Sequence, residues 1–361
     1  MNKKQSVKVE QSGDSSKIAY ICMAMKNYFE HSTMRYAMIG SGSWATALVK
    51  VLLQTQARVS WFVREEAMIA HILQHRSNPY YLQSANLNTE RLDMSADINK
   101  VVDEADVLIF CVPSAYFEGE IAPLTAPLAQ KFIISAIKGM VPEKNTTITE
   151  YFNQNHHIPY DNLGVIGGPC HAEEVAMERL SYLTVACKNE KVALALAKAF
   201  TCSFMKTTTT TDIYGVEYAV VLKNIYAMAA GVCHSLGYGD NFAAVLITNA
   251  YHEMKDFLNE THADKGRDAA RPAYLGDLLV TCYSQFSRNR TFGSLIGKGY
   301  SVQAVRAEMN MVAEGYYGSR CIYEVNKKYK IAMPIAEAMY AIMYENQNAA
   351  MVIKHLTEKL R

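Results

Sequence analysis

The stretch Tyr36-Ala-Met-Ile-Gly-Ser-Gly-Ser-Trp-Ala-Thr46 decides the fold that we expect for this chain. It reads as a short apolar strand, a turn of small residues and the start of a helix, with the spacing GxGxxA. In this pattern Gly40 makes the tight turn, Gly42 lets the backbone approach a pyrophosphate, and Ala45 lets the helix pack on the strand. The N–H groups at the helix start would hold the anion. Small residues at such a turn also serve packing alone, so the context of the pattern matters.

The context is a series of further strands. Residues 59–63, 107–112, 131–137 and 163–166 are apolar, and each gives way to a loop. Strands that alternate with helical runs predict a parallel sheet with helices on both faces, and ligands bind at the carboxyl ends of such strands. Lys138 and the glycine-rich turn at residues 167–170 follow two of these strands. We therefore expect both at the ligand-binding edge, where the N–H groups of the turn would suit an anion or hydroxyls.

The chain divides where the strand pattern ends, after Asp212. We expect an α/β, Rossmann-like doubly wound sheet domain that binds a dinucleotide over residues 34–212, and an all-α C-terminal domain over residues 213–361. The threonine run at 207–211 reads as an edge strand or a linker. Residues 1–33 are polar and aperiodic apart from one short apolar patch, so we place them outside the fold as a leader.

The composition narrows the class of protein. The 361 residues suffice for two domains, and 50% hydrophobic with 20% charged residues is ordinary for a soluble enzyme. A net charge of +1 offers no basis for binding nucleic acid or an anionic membrane, and no apolar run reaches the length of a membrane span. The eight cysteines form no CxxC pair, so we expect a reducing cytoplasm, no metal site and no disulfide framework.

The stretch Gly215–Gly231 predicts a buried helix, because apolar residues occupy all of its faces. Lys223 and Asn224 lie in its middle. A helical lysine usually snorkels to the surface, whereas a buried lysine has a lowered pKa, nearer the range useful for proton transfer. The uniformly apolar neighbours favour burial of Lys223, and hence a functional role.

Two later stretches carry residues suited to chemistry. In the first, Asp277 and Thr281 lie one helical turn apart, and the block Ser287-Arg-Asn-Arg290 follows. Its guanidinium and amide groups suit a phosphate, although a solvated basic helix end would have the same composition. The second stretch, Val312–Gly318, reads as a loop whose role its spacing does not reveal.

Together these blocks resemble the bacterial-type NAD(P)-dependent glycerol-3-phosphate dehydrogenases, over essentially everything from Met34 to the C-terminus. The matching blocks are GSGSWATAL at Gly40, SAIKG around Lys138, GGPCHAEEV from Gly167, EYAVVLKNIYAMAAG around Lys223, LGDLLVTC around Asp277, SRNRTFG from Ser287 and VAEGYYG from Val312. The resemblance implies an oxidoreductase that interconverts sn-glycerol 3-phosphate and dihydroxyacetone phosphate with NADP(H) or NAD(H). It also implies a cytoplasmic role in supplying phospholipid synthesis, and we expect a homodimer without a nucleic-acid partner.

The resemblance implies roles for particular residues. Lys223 would be the catalytic acid/base. The substrate would contact Lys138, Gly168, Cys170, Lys223, Asn224, Asp277, Thr281, Ser287, Arg288 and Asn289. The cofactor would contact Gly40, Gly42, Ser43, Trp44, Arg64, Lys138, Ala172, Arg288, Val312 and Glu314. This sequence departs from the family at Ala45, where a glycine is usual, and at Cys170, where many relatives carry Ser or Thr and where a backbone N–H would serve the same contact.

The end of the second predicted strand bears on the choice of cofactor. A strict NAD enzyme normally carries an acid there, which accepts both ribose hydroxyls. Here Arg64 follows the strand, and a guanidinium can pair with a 2′-phosphate or stack on adenine. Glu65 and Glu66 come next, and either could take the role of the acid. Relatives with arginine or histidine at this position use NADP, often alongside NAD, so we expect NADPH to be preferred and NADH tolerated.

Two other classes of protein share parts of this pattern. Two-domain dehydrogenases of sugar acids or hydroxy acids have a similar sheet and central lysine helix, and Cys170 could be the nucleophile of a nucleotide-sugar enzyme. The block at 287–289 and the pair of Lys138 and Lys223 argue against that reading. A cofactor-sensing regulator without turnover would need neither lysine.

Overall fold

The computed structural model describes residues 34–56, 58–309 and 312–361. The predicted leader, residues 1–33, lies outside this described part. The described chain forms a sheet flanked by helices, followed by a helical half, so the predicted fold class is confirmed. The last strand ends at Thr210 and the long helix that opens the second half begins at Ile213.

Eight strands of the described chain form one sheet. Their bounds are β1 (Tyr36–Ile39), β2 (Val59–Phe62), β3 (Leu92–Ser95), β4 (Val107–Phe110), β5 (Phe132–Ser135), β6 (Leu163–Gly167), β7 (Ser181–Cys187) and β8 (Met205–Thr210). They lie in the order β3-β2-β1-β4-β5-β6-β7-β8. The threonine run belongs mostly to β8, which is an edge strand, as one of its two interpretations predicted.

Helices cover both faces of this sheet. Their bounds are α1 (Ser43–Thr55), α2 (Glu66–His75), α3 (Ile98–Asp103), α4 (Phe117–Ile121), α5 (Ile148–His156), α6 (Ala172–Ala176) and α7 (Glu190–Phe200). Successive side chains of β1 enter opposite cores, since Met38 packs with α1, α2 and α7, whereas Ile39 packs with α3, α4 and α5. The carboxyl ends of β1, β2, β4, β5 and β6 share one edge.

The sheet departs from the predicted all-parallel arrangement at one pair. Strands β6 and β7 run antiparallel, while the other neighbouring pairs are parallel. Parallel strands need a crossover connection, usually a full helix. Between β6 and β7 the chain has only the short helix α6, so it turns back instead of crossing over.

The second half is a bundle around one buried helix. Its helices are α8 (Ile213–Ser235), α9 (Asp240–Thr261), α10 (Asp277–Tyr283), α11 (Arg288–Gly297), α12 (Val302–Glu308), α13 (Glu314–Tyr329), α14 (Pro334–Tyr344) and α15 (Ala349–Thr357). The central helix α8 is buried along nearly its whole length and packs against α9, α10, α11, α13 and α14. It also packs on the end of β6, where a Cβ added to Gly167 would lie 2.9 Å from Val216. This contact brings the lysine helix to the carboxyl edge of the sheet, where the sequence predicts that ligands bind.

The stretch Val312–Gly318 is mostly helical, so its prediction as a loop is wrong. Helix α13 begins at Glu314, and its glycines serve packing against α8 rather than a turn. A Cβ on Gly315 would lie 2.6 Å from the carbonyl oxygen of Asn224, and one on Gly318 would lie 3.1 Å from Val221. Glycine at these positions permits the two helices to approach closely.

By length and composition alone, α8 could cross a membrane, contrary to the expectation that no run in the sequence reaches that length. Its most apolar window is, however, entirely buried inside the protein. We therefore describe α8 as the central helix of the core.

Candidate active site

The Gly40 turn has a conformation that requires glycine. Gly40 has a φ of +116°, and a Cβ there would lie 2.5 Å from the carbonyl oxygen of Cys111. The indole N–H of Trp61, in β2, donates to the carbonyl oxygen of Gly40 at 2.7 Å. Buried Asn78 donates to the carbonyl oxygen of Ser41 at 2.9 Å. The protein therefore fixes this turn in advance of ligand binding.

The start of α1 fits the pyrophosphate of a dinucleotide. Gly42 is the N-cap residue, and no side chain caps the helix there. A Cβ on Gly42 would meet no atom within 4 Å. Because helix starts present N–H groups and a partial positive charge, this open space suits an anion.

The cleft beside this turn has a volume of about 1010 Å³ and is lined by both halves of the chain. That is large for a ligand pocket and leaves room for an extended molecule such as a dinucleotide. Among the residues predicted to contact the cofactor, it is lined by Gly40, Gly42, Ser43, Trp44, Arg64, Lys138, Arg288, Val312 and Glu314. The remaining one, Ala172, is buried at the start of α6 and does not line the cleft.

Arg64 lies beyond the end of β2, on the rim of the cleft. Its guanidinium pairs with Glu120 at 2.5 Å and lies 3.7 Å from Glu65. Glu66, the other acid that the sequence left open, begins α2 and does not line the cleft. Glu120 belongs to α4, far along the chain, so no spacing in the sequence pointed to it.

Lys223 is buried, as its apolar surroundings predicted. Its Nζ lies 2.5 Å from Oδ1 of Asp277, the first residue of α10. Burial lowers the pKa of Lys223 to about 8, although the charge of Asp277 opposes this shift. The hydroxyl of Thr281, one turn later, donates to the carbonyl oxygen of Asp277 at 2.6 Å. An amine with this pKa can exchange a proton near neutral pH.

Two buried amides join the halves of the chain beside this lysine. Asn224 donates to the carbonyl oxygen of Lys138 at 2.8 Å and accepts from Nδ2 of Asn289 at 2.8 Å. Asn289 in turn accepts from the N–H of Gly315 at 2.9 Å. The loop after β5 is therefore fixed to α8, α11 and α13.

Lys138 lies between the predicted cofactor and substrate sites. Its Nζ is 4.7 Å from the centroid of the Trp44 ring, a cation–π contact, and 3.5 Å from the carbonyl oxygen of Cys170. Trp44 belongs to the first turn of α1, whereas Cys170 follows β6. The half-buried ammonium of Lys138 thus reaches from one site to the other.

The N–H groups of Gly168 and Cys170, in the turn after β6, are already hydrogen-bonded within the protein. The prediction that this turn offers free N–H groups to an anion is therefore wrong. The N–H of Gly168 donates to Oδ2 of Asp277 at 3.3 Å, and the N–H of Cys170 donates to the carbonyl oxygen of Gly168 at 2.8 Å. The thiol of Cys170 donates to the carbonyl oxygen of Tyr182 at 3.1 Å, and burial raises its pKa to about 12. A buried, protonated thiol is a poor nucleophile. This argues against the cysteine-dependent alternative.

The predicted phosphate block begins α11 and is not a solvated helix end. Ser287 is the N-cap, and its Oγ accepts the N–H of Arg290 at 3.3 Å. Ser287 and Asn289 are buried. Arg288 lines the cleft and donates from Nη2 to Oγ of Ser43 at 3.1 Å. A guanidinium at a helix start suits a phosphate, and that role stays a prediction.

Glu314 ties α13 to the sheet across the cleft. Its carboxylate accepts the N–H of Ser114 at 2.9 Å and the hydroxyl of Ser114 at 2.5 Å. Burial raises the pKa of Glu314. Ser114 follows β4, so this contact holds the start of α13 against the carboxyl edge of the sheet.

Several residues of the site were not found from the sequence. Trp61 and Asn78 support the Gly40 turn, Ser114 holds Glu314, and Glu120 holds Arg64. Trp61 lies in an apolar strand pattern, where its indole N–H needs a buried acceptor and could have indicated support for a nearby turn, whereas Asn78 lies in a polar stretch. The pairs that cross between distant elements leave no local signal.

The described residues contain neither a candidate metal site nor a disulfide bond. No group of three or more His, Cys, Asp or Glu in 34–56, 58–309 and 312–361 could hold a metal ion. The cysteines within these ranges are all free.

The fold and the site are those of an NAD(P)-dependent dehydrogenase, with a buried lysine–aspartate pair beside the cleft at the Gly40 turn. Residues 35–193 match the family described as NAD-dependent glycerol-3-phosphate dehydrogenase N-terminus. Residues 212–354 match the corresponding C-terminus. The chain belongs to the NAD-dependent glycerol-3-phosphate dehydrogenase family.

Individual relatives are similar to this chain over most of its length. The glycerol-3-phosphate dehydrogenase [NAD(P)+] of Bacillus velezensis is 32% identical over 330 residues, which cover 91% of this chain and 95% of that protein. The enzyme of the same name from Bacillus subtilis is 32% identical, with coverage of 89% and 93%. The crystal structure of glycerol-3-phosphate dehydrogenase from Coxiella burnetii has a TM-score of 0.82 and 26% identity, and covers 90% of this chain and 99% of that chain. The resemblance seen in the sequence is confirmed.

Proposed function

We propose that this chain interconverts sn-glycerol 3-phosphate and dihydroxyacetone phosphate by hydride transfer with NADP(H) or NAD(H). The buried pair of Lys223 and Asp277 supports this most directly, because it places an acid/base beside a cleft that fits a dinucleotide. Interconversion of a ketone and an alcohol needs one proton at the oxygen for each hydride at the carbon.

Lys223 donates and accepts this proton. In the reducing direction its ammonium donates to the C2 oxygen of dihydroxyacetone phosphate as that oxygen gains charge. In the oxidising direction the neutral amine accepts the proton of the C2 hydroxyl. Since the pKa of Lys223 is lowered to about 8, both forms exist near neutral pH. Asp277 holds the amine in position through its contact of 2.5 Å.

Lys138 supplies a second positive charge beside the C2 oxygen and stabilises the alkoxide. Its charge also helps to lower the pKa of Lys223, after burial. Asn224 holds the backbone carbonyl oxygen of Lys138, and the Trp44 ring contacts its ammonium group. Lys138 therefore links the reacting oxygen to the cofactor side of the cleft.

Arg288 binds the substrate phosphate together with the start of α11. Asn289 also fixes this helix start, because its amide donates to Asn224 and accepts the N–H of Gly315. Binding energy from the remote phosphate positions C2 for reaction.

The cleft holds the cofactor, which supplies or accepts the hydride when bound. Gly42 and the uncapped start of α1 receive its pyrophosphate, and Arg64 lies beyond the end of β2, where the adenosine ribose is read. Trp44 and Lys138, which are in cation–π contact, also line this cleft.

A single assay tests the proposal. NADPH absorbance should fall when dihydroxyacetone phosphate is added to the purified full chain, and Cys170→Ser should turn over like the wild type. No absorbance loss with either NADPH or NADH would contradict the proposal and favour a cofactor sensor. Loss of turnover in Cys170→Ser would favour the cysteine-dependent class.

We expect Arg288→Ala to raise the KM for dihydroxyacetone phosphate about tenfold or more, since a charge-assisted contact to the phosphate is lost. Unphosphorylated dihydroxyacetone should be a very poor substrate for both proteins, and kcat/KM for it should change little. Steady-state kinetics with the two substrates decide this. Equal activity of the wild type on both would show that Ser287–Asn289 is not a phosphate site.

We expect the wild type to prefer NADPH and to tolerate NADH, and Arg64→Ala to lower the ratio of kcat/KM for NADPH to that for NADH. The guanidinium lies where a 2′-phosphate would be read, and its loss removes a contact that NADH does not make. The measurement is kcat/KM with each cofactor. A wild type that prefers NADH, or an unchanged ratio in the variant, would rule out this role for Arg64.

The same proposal includes the metabolic role, the cellular compartment, the oligomeric state and the roles of the two domains, all of which the family resemblance implies. The glycerol 3-phosphate supplies phospholipid synthesis, the enzyme works in the cytoplasm as a homodimer, and residues 34–212 and 213–361 act as cofactor and substrate domains. The free thiols of the described cysteines are compatible with a reducing compartment. Analytical ultracentrifugation tests the dimer.

A further inference from the structure

Glu120 is an acid at the adenosine end of the cleft that the proposed mechanism does not use. Its side chain is 15% exposed, whereas that of its partner Arg64 is 68% exposed. Arg64 Nη1 lies 2.5 Å from Glu120 Oε1, and both residues line the cleft. A largely buried carboxylate therefore holds the guanidinium that would otherwise face the cofactor.

The charge of Glu120 acts differently on the two cofactors. A 2′-phosphate carries close to two negative charges at neutral pH, so it would compete with Glu120 for Arg64 and be repelled by Glu120 itself. A ribose 2′-hydroxyl, in contrast, can donate to a carboxylate, as it does to the acid that ends the second strand in NAD enzymes. Glu120 thus favours the unphosphorylated ribose at the place where Arg64 favours the phosphorylated one.

We propose that Glu120 is a specificity-determining residue, which supplies from α4 the carboxylate that the end of β2 lacks and so weakens the preference for NADPH over NADH. This inference rests on the proposed function of the cleft. Glu65 is the competing acid, but it lies 3.7 Å from Arg64 and its side chain is 49% exposed. Water and salt screen it more strongly than Glu120.

The substitution Glu120→Gln tests this, because it keeps the shape of the side chain and removes its charge. We expect the ratio of kcat/KM for NADPH to that for NADH to rise about fivefold, the upper range for a charge pair at a protein surface. Glu118→Gln is the matched control. It lies on the same helix, lies 3.8 Å from Lys144, and does not line the cleft. It should leave the ratio unchanged, and Glu65→Gln should move it less than Glu120→Gln does.

Binding of NADPH and NADH without substrate, measured by calorimetry, gives a readout that does not depend on turnover. The ratio of the two Kd values should shift towards NADPH in Glu120→Gln by the same factor. A wild type that binds both cofactors but does not reduce dihydroxyacetone phosphate would contradict the proposed function, and the binding ratio would still decide on Glu120. An unchanged ratio in Glu120→Gln, an equal shift in Glu118→Gln, or a larger shift in Glu65→Gln overturns the assignment.

Discussion

Lys223→Ala is expected to lower kcat for dihydroxyacetone phosphate by about a hundredfold or more, the range that a positioned acid/base contributes. The lysine lies in the middle of α8, buried and paired with Asp277, where water has little access to replace it as proton donor. The Kd for NADPH should stay nearly the same, because Lys223 does not line the cofactor cleft. Steady-state kinetics and cofactor titration measure the two quantities separately.

Lys50→Ala provides a matched control for this substitution. Lys50 is a second buried lysine, and its Nζ donates to the carbonyl oxygen of Ala176 at 2.8 Å and pairs with Glu178 at 2.9 Å, away from the cleft. Its loss should lower the Tm and leave kcat close to that of the wild type. Near-normal turnover in Lys223→Ala, or an equal loss of kcat in Lys50→Ala, would contradict the assignment of Lys223.

The sheet could be predicted where strands are buried on both faces. The expected strand over Tyr36–Ile39 coincides with β1, and the apolar runs identified for β2, β4, β5 and β6 have ends within two residues of the ends of those strands. Strand β3 was missed, because only two of its four residues, Leu92 and Met94, are apolar and it lies at the sheet edge. Strand β7 was missed as well. Its antiparallel pairing with β6 depends on a short connection that no apolar period reveals.

The sequence predicted which residues belong to the candidate site better than it predicted the contacts between them. The burial of Lys223 followed from local pattern, because a lysine surrounded by apolar residues on one helix needs no tertiary information. The pairing of Asp277 with both Lys223 and the N–H of Gly168 joins three separate elements, and only the fold shows it. The side chain of Cys170 illustrates the limit. The resemblance implied a substrate contact at this position, although relatives carry Ser or Thr there, and the thiol donates to the carbonyl oxygen of Tyr182.

Asp277→Asn is expected to move the pH dependence of reduction to lower pH. Asparagine keeps the shape and an oxygen acceptor for the N–H of Gly168, but removes the charge that raises the pKa of Lys223 against the effect of burial. Reduction uses the charged form of Lys223, so kcat falls as the pH rises through its pKa, which is about 8 in the wild type. Removing one partner of a buried ion pair costs about 3 kcal/mol, or roughly two pKa units. At pH 8 the charged fraction of Lys223 would then fall from about one half to about one hundredth, so we expect kcat to fall about fiftyfold.

The pH dependence of the oxidation rate has the opposite slope and provides an independent check. It uses neutral Lys223, so its rate rises through the same pKa, and this rise should also begin at lower pH in Asp277→Asn. Glu253→Gln is the control, because it removes another buried carboxylate of the helical half, one that accepts the N–H groups of Ile335 and Ala336 at 2.9 and 3.0 Å. Glu253→Gln should leave the pH profiles of reduction and of oxidation unchanged. Profiles of kcat against pH for the three proteins decide this: limbs in Asp277→Asn that coincide with those of the wild type, or that move to higher pH, would show that another group donates the proton.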